Sequence, residues 1–167
     1  MDQHISLEAV INFLVDTPLF RTLDAAERGD VARIMEVQRL AHGEQVFGEG
    51  DEGEAWYVVF DGTANVVKNA SSGPTQIAAL GPGACFGEMA VLDGLTRSAS
   101  VIADGPLTVF RFRRERFDNL LDHGSLGAYK LVAAMARTLS QRQRMLTQQL
   151  SALVGNSEAV NAFQVSE

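Results

Sequence analysis

The sequence predicts a mainly β fold with flanking helices, an eight-stranded jelly-roll β-barrel, and three observations carry that prediction. Seven short runs rich in β-branched and aromatic residues, separated by glycine-containing turns, fill the middle of the chain. Segments with apolar residues at helical spacing lie before and after them. A chain of 167 residues that is 46% apolar and 21% charged is long enough for one sizeable core.

Residues 1–35 form an N-terminal helical segment. Leu7, Val10, Ile11 and Leu14 recur at helical spacing, and Asp16-Thr17-Pro18 stops that helix. Asp24 then precedes Ala25-Ala26-Glu27 as an N-cap with a carboxylate in the capping-box position, and Val31, Ile34 and Met35 supply the apolar stripe. The barrel occupies 36–122. Its strands are read at Val37–Leu40, Gln45–Phe47, Trp56–Phe60, Thr63–Val67, Gln76–Leu80, Ser98–Ile102 and Thr108–Phe112. Asp61-Gly62 is a two-residue hairpin signal, and Ser71-Ser72-Gly73-Pro74 marks a looser loop. From Ser125 to about Val154 there is no proline, and the only glycine is Gly127, so residues 123–154 are read as a long helix. Residues 155–167 are read as a flexible polar tail.

The residues that carry chemistry lie at 86–103: Phe86-Gly87-Glu88-Met89-Ala90-Val91-Leu92, a short connection, then Arg97-Ser98-Ala99-Ser100-Val101-Ile102-Ala103. Gly87 removes the Cβ where backbone must come close to a ligand, and the helix formers after it leave N–H groups free to point at an anion. Arg97 supplies a charge-assisted fork for phosphate oxygens. Ionised Glu88 accepts hydrogen bonds only, which suits a sugar hydroxyl and not a phosphate. The stretch therefore reads as a site for a small phosphorylated sugar.

This pattern closely resembles the phosphate-binding cassette of cyclic nucleotide-binding domains, found in bacterial catabolite-activator-like regulators, protein kinase regulatory subunits and cyclic-nucleotide-gated channels. Pro18 to Leu23, Gly43 to Phe47, Glu49-Gly50-Asp51 and Trp56 to Phe60 with Asp61-Gly62 resemble the preceding segments of the same family, so the likeness covers roughly residues 18–150. The resemblance implies a ligand-binding set of Phe86, Gly87, Glu88, Met89, Ala90, Arg97, Ser98 and Ala99. By it, Arg97 holds the exocyclic phosphate oxygens and Glu88 the ribose 2′-hydroxyl. Backbone N–H groups of Gly87, Met89, Ala90, Ser98 and Ala99, with the Ser98 hydroxyl, complete the cradle. Ser98 favours cAMP, with cGMP as the alternative, and Val67, Leu80 and Cys85 are candidate apolar walls for the base.

Other chemistries find little support. His4, His42 and His123 lie in no metal-ligating spacing, and Ser98 and Ser100 have no histidine near in sequence, so neither a metal centre nor a serine nucleophile is expected. The protein is read as no enzyme and as needing no cofactor. Cys85, the one cysteine, has no basic neighbour to lower its pKa and is read as a small buried hydrophobe. That single cysteine and a start without a signal-peptide pattern imply a cytoplasmic location, and no apolar run reaches the roughly 18 residues of a membrane span.

A net charge of −7 argues against a nucleic-acid surface. Arg111, Arg113, Arg114 and Arg116 are interleaved with Glu115 and near Asp118, and read as a solvated strand end and helix face.

Val132, Ala136, Leu139, Gln143, Leu146, Leu150 and Leu153 follow alternating steps of four and three, the seam of a coiled coil, so a homodimer is expected. In the catabolite-activator-like branch the corresponding helix similarly dimerises and closes over the base, but no recognisable helix-turn-helix follows here, which sets aside direct DNA binding. The expectation is a cAMP sensor that signals to an effector protein through the long helix. The competing reading is a dimeric interaction scaffold with no functional nucleotide site.

Overall fold

The computed structural model describes residues 5–164, with no side-chain description for Leu7 or for 155–164. His4 and the last three residues of the expected tail lie outside that range. Helix α1 (Leu7–Asp16) starts from Ser6, whose Oγ accepts from the Ala9 N–H at 3.1 Å, and stops at Thr17 ahead of Pro18. A single 3-10 turn (Pro18–Phe20) leads to α2 (Ala25–Arg33). Asp24 and Glu27 form the full capping box: Glu27 N–H donates to Asp24 Oδ1 at 2.9 Å, and Asp24 N–H to Glu27 Oε2 at 2.8 Å.

Six strands follow among the described residues: β1 (Met35–Leu40), β2 (Gln45–Phe47), β3 (Ala55–Ala70), β4 (Gly73–Leu80), β5 (Cys85–Phe86) and β6 (Ser100–Arg113). All pairs are antiparallel, in the order β1-β6-β3-β4, with β2 also on β6 and β5 on β3. The expected eight-stranded closed barrel is thus corrected to an open sheet of six strands.

The reason lies at Gly62. The runs 56–60 and 63–67 are one strand, and β6 likewise joins the two runs assigned to 98–102 and 108–112. Pairing of β3 with β6 shifts register between Val59 and Asp61 and again between Asp61 and Thr63, so Asp61-Gly62 is a bulge, not a hairpin turn. Gly62 has φ +89°, and a Cβ there would sit 2.3 Å from the Pro106 carbonyl oxygen. Glycine-type bulges and the primed hairpin turns both use positive φ, so the same dipeptide serves either.

Ala55 to Val59 are all buried because β3 is covered on both faces. On one face, Trp56 stacks on Phe112 with ring centres 4.0 Å apart and meets Phe117 edge-on, while Phe13 of α1 packs against Phe60 and Phe110. On the other, Ala55, Tyr57, Val59 and Ala64 join Leu40, Phe86, Val101, Ala103, Leu107 and Val109. Half-buried Val46, Phe47, Val66, Leu80 and Ala84 extend this second cluster. The period-two alternation of a strand sorts each residue to its face.

Helix α3 (Glu88–Asp93) interrupts the β5–β6 connection, and α4 (Arg114–Asp122) follows the sheet. Helix α5 runs Leu126–Gln164, so backbone expected to be tail from 155 continues the helix through Gln164. Two compact units divide within α5, residues 1–132 and 133–167. In the first, Lys130 of α5 donates to both Glu27 carboxylate oxygens, at 2.6 and 2.8 Å.

Candidate functional site

The cassette is built from β5, α3 and the start of β6. Gly87, at φ +72°, turns the chain from β5 into α3, and Gly94, at φ +73°, ends that helix. The first N–H groups of α3 have no partner within the helix by the geometry of any helix start. Ala90 is buried under the loop between β2 and β3, where a Cβ on Gly53 would come within 2.5 Å of the Ala90 Cβ. The short helix is therefore held by close backbone approach.

Arg97 is the centre of the arrangement. Only 4% of it is exposed. Nη1 donates to the Gly87 carbonyl at 2.7 Å and Nη2 to the Ala55 carbonyl at 2.6 Å. The guanidinium carbon lies 4.1 Å from the centre of the Phe47 ring, a cation–π stack, and 5.9 Å from that of Tyr57. Gly87 must lack a side chain, since a Cβ would fall 2.8 Å from Nη1 and 3.2 Å from the Phe47 ring. Burial lowers the Arg97 pKa from its usual value, against the opposing pull of Tyr57, Asp51, Glu54 and Glu88.

A guanidinium has five N–H donors, and the two carbonyls take two of them. The buried Nε has no hydrogen-bond partner. Such an atom calls for an acceptor, because an unpaired polar group in the interior carries the full cost of its desolvation.

The backbone around Arg97 is fixed independently of its side chain. Arg97 N–H donates to the Asp51 carbonyl at 2.8 Å, and the Arg97 carbonyl accepts from Gly50 N–H at 2.9 Å. One residue on, the Ser98 carbonyl accepts from Lys68 Nζ at 2.7 Å, and Lys68 also donates to Glu49 Oε1 at 2.5 Å. Glu49 Oε2 accepts from Asn69 N–H, and Glu49 N–H donates to Ser100 Oγ at 2.9 Å. The Asn69 and Lys68 hydrogen bonds hold the Glu49 carboxyl below its usual pKa.

The eight residues singled out in the sequence fall in this one region, in different environments. Glu88 and Arg97 are buried beside the core, Ser98 and Met89 are exposed, and Ala90 and Ala99 are buried. Phe86 offers its ring to the core, stacked on Tyr57 at 5.2 Å. Of the three residues read as base walls, Leu80 packs on the inner cluster. Val66, Ala84 and Phe86, neighbours of Val67 and Cys85, also pack in that cluster, because alternation along β3 and β5 turns them inward. Phe47, Tyr57, Glu49 and Lys68 were not foreseen as site residues. Their partners at the site lie 19 to 51 positions away in sequence, and no local spacing announces them.

Beyond the cassette, Arg111, Arg113 and Arg116 all face Glu36, at 3.8, 2.8 and 3.5 Å, and Arg114 pairs with Asp118 at 3.5 Å. These ion pairs match the reading of that run as a solvated charged face. The described residues contain no group of three or more acidic, histidine or cysteine side chains placed to hold a metal ion, and no helix long and apolar enough to cross a membrane.

Residues 37–123, just over half of the chain, match the family model described as the cyclic nucleotide-binding domain. The chain belongs to this family. The cyclic nucleotide-binding domain is 36% identical over 101 residues to a cAMP-dependent protein kinase regulatory subunit of Mycosarcoma maydis, covering 60% of this chain and 19% of that protein. It thus spans about a fifth of the length of that curated relative. Among solved structures it is similar to a cyclic nucleotide-binding domain from Methylobacillus flagellatus, with 26% identity, a TM-score of 0.74 and coverage of 85% of this chain and 80% of the other. The regulatory domain of Toxoplasma gondii PKA, solved with cAMP, is 28% identical with a TM-score of 0.62, covering 67% of this chain and 43% of that one. The kinase relatives are regulatory subunits, not catalytic ones.

Proposed function

We propose that the domain is a cyclic nucleotide sensor that binds cAMP, with cGMP as the alternative, through the cassette at 86–103 and reports occupancy to an effector protein through α5. The observation that carries this is the buried Arg97 with its unpartnered Nε, beside Gly87 and the start of α3. A cyclic phosphate is a compact monoanion whose oxygens accept from a guanidinium fork and from helix-start N–H groups. Arg97 takes the phosphate, and the N–H groups of Gly87, Met89, Ala90, Ser98 and Ala99 complete its cradle. Glu88 accepts from the ribose 2′-hydroxyl, and Val66, Leu80 and Ala84 give the base an apolar wall. Every step is binding. No residue is assigned a covalent role.

The kinase relatives support a protein kinase as one class of effector. Exposed Leu146, Leu150 and Leu153 on α5 support the homodimer, since a helix leaves such a stripe in water only at a cost.

One observation favours the scaffold reading: both terminal nitrogens of Arg97 donate to backbone carbonyls, so the guanidinium also has a structural role. Calorimetric titration with cAMP, cGMP and 5′-AMP decides between the two. Saturable binding of a cyclic nucleotide with no binding of 5′-AMP supports the sensor. Absence of heat with all three at millimolar concentration supports the scaffold.

A further inference from the structure

We propose that Lys68 is a base-selecting residue of this site, whose ammonium favours the purine edge of guanine and so opens the site to cGMP as well as cAMP; this rests on the cyclic nucleotide reading above. Residues on one face of a strand recur every second position. Ala64 is buried in the inner cluster and Val66 packs against it, so Lys68 is next in that row. The register shift between β3 and β4 does not disturb this. It places the extra residue, Ile77, on β4, where Val66 pairs with Ala78 and Val67 with Gln76.

The inner row therefore passes from an apolar wall to a cation at the cassette. Lys68 Nζ lies 2.7 Å from the carbonyl of Ser98, the residue after the phosphate arginine. A nucleotide anchored at Arg97 with its base on Val66 brings the base edge to this ammonium.

The chemistry of the pair sets the preference. An ammonium has three donors and no acceptor, and Glu49 and Ser98 take two. Both Glu49 carboxylate oxygens already accept, from Lys68 and from Asn69 N–H, and the Glu49 side chain is 21% exposed against 46% for Lys68. The lysine is thus the group a ligand meets. Guanine presents two adjacent acceptors, N7 and O6, on the edge where adenine presents one acceptor and an amino donor. The remaining N–H can be shared between the two guanine acceptors, whereas on adenine it finds one acceptor beside a like-polarity amino group.

The test is calorimetry of the full chain with cAMP and cGMP, comparing the parent with Lys68→Met, which keeps the alkyl stem, and Lys68→Arg, which keeps the charge. The expected result is binding of both nucleotides by the parent and, in Lys68→Met, a loss of cGMP affinity about tenfold larger than any loss of cAMP affinity. Lys68→Arg should retain cGMP binding. Equal losses for the two nucleotides would show that Lys68 acts only by holding the Ser98 backbone, and would overturn the proposal while leaving the cyclic nucleotide reading intact. Binding of cAMP alone by the parent would do the same. If Lys68→Met does not fold, Lys68→Gln takes its place under the same criteria. A parent that binds neither nucleotide overturns the sensor reading, and this proposal with it.

Discussion

Nη1 of Arg97 donates to the carbonyl of Gly87 at 2.7 Å, so the two ends of the cassette are joined inside the protein across ten positions of sequence. The bond orients the guanidinium before any ligand arrives, which lowers the ordering cost of binding. It also makes Arg97 both a structural tie and the proposed phosphate ligand.

Replacing Arg97 tests both roles. Saturating cyclic nucleotide at a hundredfold excess over Kd should stabilise the parent by about 2.7 kcal/mol, read as a rise in Tm. Arg97→Ala should abolish most of that rise. It should also destabilise the unliganded protein by about 1–3 kcal/mol, because the Gly87 and Ala55 carbonyls lose their donor. Full ligand stabilisation in the variant would refute the phosphate assignment.

Two glycines should resist substitution for different reasons. Gly53→Ala places a methyl 2.5 Å from the Ala90 Cβ, and overpacking of this kind costs about 1–3 kcal/mol. Gly62→Ala meets the Pro106 carbonyl oxygen and must also hold φ near +89°, so it should be the more damaging of the two. Denaturant unfolding gives both values, and a neutral Gly62→Ala would mean that β3 relaxes without its bulge.

The Glu49 carboxyl is held below its usual pKa by the Asn69 N–H and by Lys68. A carboxyl whose pKa is lower folded than unfolded contributes stability above the unfolded value, and that contribution is lost as pH falls through the folded value. Glu49→Gln should therefore lower Tm at neutral pH, with the gap to the parent closing as pH drops below the usual carboxylate range. A gap of constant size from neutral to acid pH would show that the charge on Glu49 does not matter.

The stripe on α5 should control assembly. Leu139→Glu with Leu146→Glu puts like charges across the proposed seam and should convert a dimer into a monomer with an unchanged sheet spectrum. Sedimentation of the parent as a monomer would refute the dimer, and an unfolded double variant would show that the stripe supports the fold instead.

Local chemistry was legible in the sequence wherever a structure depends on neighbours along the chain. The Asp24 and Glu27 capping box and the helix stop at Thr17-Pro18 are set by residues within a few positions of one another, and each lies where the spacing predicts. Gly62 announced a positive φ with equal clarity. Whether that φ served a turn or a bulge depended on β6, some forty residues away, which stays paired alongside β3 through the irregularity.

Tertiary structure alone decided what surrounds Arg97. The Phe47 ring reaches the cassette from the end of β2, and the Ala55 carbonyl and the Lys68 ammonium at Ser98 reach it from the start and the far part of β3. Which of Val66 and Val67 faces inward was likewise settled by the packing of β3 between two layers. A sequence specifies hydrogen-bond partners a turn away through backbone geometry, whereas partners across a sheet are chosen by strand register, and register is fixed only when the whole apolar face is buried at once.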